Sequence, residues 1–92
     1  MRLLVVEDEK KLCDMIAKSL HQTGYEVDVC NDGEEALDMI YAEMYDLIVL
    51  DLNLPGVDGM EILRELRKED EETKVLILSA RSQIADKVER CV

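Results

Sequence analysis

The sequence predicts an α/β fold in which a parallel sheet carries helices on both faces. Short apolar runs alternate with segments of helical periodicity from end to end, the signature of consecutive β-α units. Three of the four runs are unbroken by polar residues, as strands covered on both faces are. Two of them close in acid: Leu3-Leu4-Val5-Val6 runs into Glu7-Asp8-Glu9, and Leu47-Ile48-Val49-Leu50 into Asp51.

Residues 2–7 open the chain as a continuous apolar strand. Leu12, Met15, Ile16 and Leu20 then recur at helical spacing, and Gly24 supplies the stop. From Tyr25 to Cys30 the pattern alternates, with Tyr25, Val27 and Val29 on one face and Glu26 and Asp28 on the other. Asp32-Gly33-Glu34-Glu35 has the form of a capping box and starts a helix carrying Ala36, Leu37 and Ile40. Leu47–Leu50 is the third strand. A second capping box, Asp58-Gly59-Met60-Glu61, precedes Ile62, Leu63 and Leu66. Val75-Leu76-Ile77-Leu78 is the fourth strand, and Ile84, Ala85 and Val88 begin a fourth helix.

Right-handed crossovers join such units into a doubly wound sheet. Only the second strand alternates, so it belongs at an edge, which supports the order 2-1-3-4. The first and third strands are then neighbours, and the switch point between them lies at Asp8 and Asp51, where open α/β sheets bind ligands. The fourth strand becomes the other edge, yet it carries no charge, proline or bulge signal to protect it. The last helix reaches Val92 without a C-cap. The expectation is one domain, 1–92, incomplete at its C-terminus, that pairs with a second copy through the uncovered fourth strand or by exchanging its C-terminal helix.

Composition narrows the function classes. A chain of 92 residues holds one small domain. With 48% apolar residues but three tyrosines and no Phe or Trp, its core is expected to be aliphatic. A formal charge of −11, from 22 acidic and 11 basic residues, would repel a phosphate backbone, so the chain is not expected to bind nucleic acid itself. It suits a cation or a basic partner surface. Cys13, Cys30 and Cys91 are odd in number and lack metal-ligand spacing, so they read as reduced thiols. Met1-Arg2 leads directly into a strand and no apolar stretch approaches the ~20 residues of a membrane span. The expected compartment is the cytoplasm.

Glu7, Asp8 and Asp51 would crowd three carboxylates at one sheet edge. Two unit charges ~5 Å apart at an effective dielectric of ~20 repel by about 3 kcal/mol, so the trio needs a shared proton or a cation. Oxygen-only ligands few in number suit Mg²⁺, which keeps several waters. The backbone carbonyl of Asn53 lies two residues beyond Asp51 and can turn to the same ion. Glu9 is read instead as favouring the start of the next helix. Ser79 ends the fourth strand beside the small Ala80, and its hydroxyl can reach an anionic oxygen at Asp51. Pro55-Gly56 is turn chemistry, Asp58 a helix cap, and His21 an exposed residue near a helix end.

These residues resemble the receiver domains of two-component response regulators. The match runs over the whole chain: Val5-Val6-Glu7-Asp8-Glu9, Asp51-Leu52-Asn53-Leu54-Pro55-Gly56-Val57-Asp58-Gly59, and Leu78-Ser79-Ala80-Arg81. Asp51 lies 43 residues after Asp8, and Ser79 lies 28 residues after Asp51. The resemblance implies a flavodoxin-like sheet, the family order being 2-1-3-4-5, with the fifth strand and helix missing from this chain. It implies that Asp51 accepts a phosphoryl group from a phosphohistidine of a sensor histidine kinase. Asp8 would hold Mg²⁺ directly and Glu7 through water. The Asn53 carbonyl would complete the ligands, and Ser79 would move toward the phosphoryl group as the switch engages. The module is then a phosphoacceptor rather than an enzyme. The Glu-Asp-Glu opening looks most like receivers joined to winged-helix DNA-binding domains, which implies a transcription regulator. In the family a lysine ends the fifth strand; neither Lys74 nor Lys87 matches it.

Two other readings stand beside this one. A haloacid-dehalogenase-like phosphatase would use Asp51 as nucleophile, but it places a general acid two residues on, where this chain has Asn53. A truncated receiver that no longer signals would mainly self-associate.

Overall fold

Leu3, Leu4, Val5 and Val6, with Ile48, Val49, Leu50 and Asp51, are almost wholly buried, and two such strands side by side need cover on both faces. The computed structural model describes residues 1–52, 54–78 and, as backbone alone, 88–91. Arg2–Val6 forms β1, Lys10–Gln22 α1, Glu26–Cys30 β2, Gly33–Ala42 α2, Leu47–Asp51 β3, Gly59–Glu69 α3, Lys74–Leu78 β4 and Val88–Cys91 β5. The sheet order is β2-β1-β3-β4-β5. The first four strands are parallel, in the order 2-1-3-4 expected from the sequence.

Side chains alternate across the sheet and so divide the core in two. Leu4, Val6, Ile48, Leu50, Val75 and Ile77 point to the face covered by α2 and α3, where they meet Ala36, Ile62 and Leu66. Val5, Val49 and Leu78 point to the other face, against Cys13, Ile16 and Leu20 of α1. Full burial of one such aliphatic side chain contributes roughly 1.5–3 kcal/mol, which is where the fold gets its stability. Among the described residues the core has one aromatic member. Tyr45 is buried in it and keeps its hydroxyl satisfied by donating to Asp28 Oδ2 at 2.7 Å.

The helix signals hold with refinements. Asp32 caps α2, accepting from the Glu35 amide at 2.9 Å. Asp58 caps α3, accepting from the Met60 amide at 3.0 Å. Glu61 pairs with Arg64 rather than completing the second capping box. Glu9 occupies the N-cap position of α1 without a side-chain cap bond, and its carbonyl accepts from the Cys13 amide. His21 is exposed, with Nδ1 3.2 Å from the Tyr25 carbonyl oxygen. None of the described helices is long and apolar enough to cross a membrane.

Three expectations are corrected. The alternation of β2 is not clean: Val29 is 40% exposed, while Asp28 is half-buried by its bonds to Arg2 and Tyr45. The fourth helix does not include Val88, which begins β5; Ile84 and Ala85 lie outside the described residues. The edge of β4 is not uncovered, because β5 pairs with it antiparallel, Leu76 opposite Cys91 and Ile77 opposite Arg90. This removes the uncovered-edge basis for a homodimer; exchange of a C-terminal helix falls on residues outside those described. Among the described residues the sheet thus adds one antiparallel strand to the four parallel ones expected. Direction follows from chain length. Nine residues, 79–87, separate β4 from β5, fewer than the roughly one dozen a parallel crossover requires.

Candidate metal and phosphoacceptor site

Strand register assembles the acidic cluster. Val6 pairs with Leu50 as the last matched residues of β1 and β3, so one step further Glu7 lies alongside Asp51. Glu7 is held by main-chain bonds that its neighbours provide. Its amide donates to the Cys30 carbonyl at 3.0 Å, and its own carbonyl accepts from Asn31 Nδ2 at 2.9 Å. The loop after β2 therefore fixes the end of β1. One carboxylate oxygen from each of Glu7, Asp8 and Asp51 lies within 4.8 Å of the others. Glu7 and Asp51 are buried and Asp8 is exposed, so the cluster opens to solvent on the Asp8 side.

Asp51 is fixed from below and behind. Its place in β3 is opposite Leu78 of β4, and the next amide, Leu52, donates to the Leu78 carbonyl at 3.2 Å. Behind it stands Gly59, the first residue of α3. A Cβ at this position would sit 2.5 Å from the Asp51 carbonyl oxygen and 2.7 Å from the Leu52 Cα, closer than real atoms approach. Only glycine lets α3 begin this near the strand end. Between them, Pro55-Gly56 bends the chain, with Gly56 at φ +80°, a conformation that favours glycine.

The electrostatics mark the cluster as a cation site. Burial pushes the Glu7 carboxyl up to about 7, helped by its hydrogen bond to Asp51 and that residue's charge, and opposed by the Glu9 amide that donates to it at 3.2 Å. Without a counter-charge Glu7 thus holds a proton up to near neutrality, as burial beside another carboxylate favours. A divalent ion would remove that need, and three hard oxygen donors fit Mg²⁺ or Ca²⁺ rather than a soft metal.

Sequence reasoning brought Glu7, Asp8 and Asp51 to one place, and the structure places them there. Asn53 and Ser79 lie outside the described residues. Two supporting residues were missed. Gly59 was read only as part of a capping box, although a glycine directly after a cap and just beyond a strand end is a signal for close approach. Asn31 gave no signal, because its role depends on where β2 ends relative to Glu7.

Comparison with known proteins agrees with this geometry. The family profile described as the response regulator receiver domain matches residues 3–91. The transcriptional regulatory protein TctD of Salmonella typhimurium is 47% identical over 88 residues, covering 96% of this chain and 39% of TctD. The chain thus spans about two fifths of the length of such curated relatives. Among solved structures, the response regulator TrrA of Thermotoga maritima in complex with Mg²⁺ and BeF superposes with a TM-score of 0.83 at 40% identity, covering 88% of this chain and 70% of TrrA. TrrA in complex with the histidine kinase ThkA superposes at 0.81 with 38% identity, covering 90% of this chain and 72% of TrrA.

Proposed function

This chain belongs to the response regulator receiver domain family, and from that premise we propose that Asp51 accepts a phosphoryl group from a phosphohistidine of a sensor histidine kinase. An Asp51 carboxylate oxygen attacks phosphorus, the P–N bond to the histidine breaks, and an acyl phosphate remains on Asp51. The convergence of Glu7, Asp8 and Asp51 within 4.8 Å at the carboxyl end of the sheet carries this reading. Family membership removes support from the dehalogenase-like hydrolase.

The same three residues suit Mg²⁺, the ion in the TrrA complex. Asp8 and Asp51 would bind it directly, Glu7 through water, and the Asn53 carbonyl would add a third direct protein ligand. When bound, the ion supplies charge neutralisation for the oxygens of the transferring group. The chain's own residues do the rest. The Gly59 contact and the Leu52–Leu78 bond hold Asp51 still, so that its oxygen meets phosphorus in line. With the ion bound, Glu7 would be held as a carboxylate facing it through water. The Ser79 hydroxyl would donate to a phosphoryl oxygen. Within a longer protein such a module would serve a transcription regulator, as TctD is named.

Incubation with Mg²⁺ and a small-molecule phosphodonor, followed by intact mass, tests this. The mass should rise by one phosphoryl group, the adduct should be labile in base, and Asp51→Asn should show none. An adduct of equal yield on Asp51→Asn would overturn the assignment.

A further inference from the structure

The end of the sheet opposite Asp51 carries a second feature. The chain entering β3 and the chain entering β4 run side by side there, and the ends of α2 and α3 flank a groove of about 790 Å³ between them. Its walls are apolar on the α2 side. Tyr41 is 56% exposed and Met44 83% exposed, two of the largest apolar side chains in the molecule facing water. Buried Ile48 and Leu66 line it more deeply.

The rim is acidic. Glu43, Glu65, Glu69, Asp70, Glu71 and Glu72 line it, against Arg67 and Lys68. Those cations are already engaged: Lys68 Nζ pairs with Glu65 at 3.2 Å, and Arg67 donates to the carbonyls of Asp70 and Thr73. Glu69, Glu71 and Glu72 make no ion pair among the described residues. Both flanking helices also end here, and a helix C-terminus carries partial negative charge on its unbonded carbonyls. The last turn of α2 holds no basic residue to offset it. Acidic side chains and two helix ends thus focus negative potential over an apolar, water-exposed wall.

We propose that this groove docks a basic segment of a partner protein, one rich in lysine and arginine with a single apolar side chain seated against Tyr41 and Met44. Charge complementarity selects this occupant: a second copy of this chain, at −11, would be repelled. A simple cation would leave the apolar wall unused. An acidic peptide would be rejected at the rim. The groove lies at the amino ends of β3 and β4, so its occupancy does not depend on phosphoryl chemistry at Asp51.

A short synthetic peptide of alternating lysine and arginine with one central leucine is the probe, added to the 92-residue chain at moderate salt. Calorimetry and backbone amide shifts are read together. The proposal expects saturable binding with shifts centred on Tyr41, Met44 and residues 69–72. Glu69→Lys with Glu72→Lys should weaken binding about tenfold, and so should replacing the peptide leucine by serine. Met44→Ser, at an exposed position that folding does not need, should weaken it as well. Reversing Asp14 and Glu35, exposed residues near the starts of α1 and α2 and so away from the groove, should leave it within twofold. Four results would each overturn the proposal: no saturable binding; shifts centred on Glu7, Asp8 and Asp51; dimerisation in place of peptide binding; or equal weakening by the distant reversals, which would mean attraction to net charge alone.

Discussion

Glu7 is where burial and chemistry meet in one side chain. Its carboxyl is lifted from 4.5 to about 7 chiefly by burial, and then by Asp51. A proton bound more tightly when folded stabilises the fold at low pH. For the metal-free chain that contribution is complete below about pH 4.5 and is lost as pH rises toward about 7. Thermal melts in chelator should show stability attributable to this residue falling across that window. Glu7→Gln, which keeps the shape without the titration, should flatten the trend, and an unchanged pH profile would contradict it. The sequence made the crowding of Glu7, Asp8 and Asp51 legible because each follows an apolar run. It did not show that Glu7 would hold a proton so firmly. That depends on Glu7 being buried while Asp8 is exposed, a difference that adjacent residues in a loop do not reveal.

At the scale of elements, the start of α3 is as consequential as the strand it touches. Gly59 has no room for a methyl group: Asp51 O is 2.5 Å from where one would stand. Gly59→Ala should therefore cost about 1–3 kcal/mol, as overpacking does, and lower the melting temperature by several degrees. It should also slow phosphorylation of Asp51 beyond what the lost stability explains, read at a temperature where both proteins are fully folded. A variant with wild-type melting and wild-type phosphorylation would contradict the close approach. The fifth strand is the other lesson at this scale. Ile84, Ala85 and Val88 fit a helical spacing, and that pattern outweighed a second signal, the bare apolar edge of Val75–Leu78. An edge of unpaired amides and carbonyls draws any strand within reach, and Val88–Cys91 is within reach. With that edge occupied, the chain should be monomeric by light scattering. Arg90→Pro, which removes an amide from β5, should promote self-association; dimerisation of the unaltered chain to the same extent would contradict this role for β5.

Over the whole molecule, strand order was the most legible property. Uninterrupted runs marked β1, β3 and β4 as covered and the alternating run marked β2 as an edge, which supported the order β2-β1-β3-β4 that the family resemblance implied. That order alone puts the ends of β1 and β3 together and makes one end of the sheet chemical. The acidic groove at the opposite end was not legible, because it forms from the ends of two helices and two loops far apart in sequence. Its charge was visible only as part of the total of −11. The molecule thus gathers acid at both ends of the sheet, buried and convergent at one, exposed beside apolar walls at the other.

Titration of Mg²⁺ into the metal-free chain, followed by calorimetry near pH 7, tests most directly whether the three carboxylates act as one site. One ion should bind per chain with release of a proton from Glu7, and Asp8→Ala and Asp51→Ala should each abolish the heat. Undiminished binding in the Asp51→Ala protein would contradict the account.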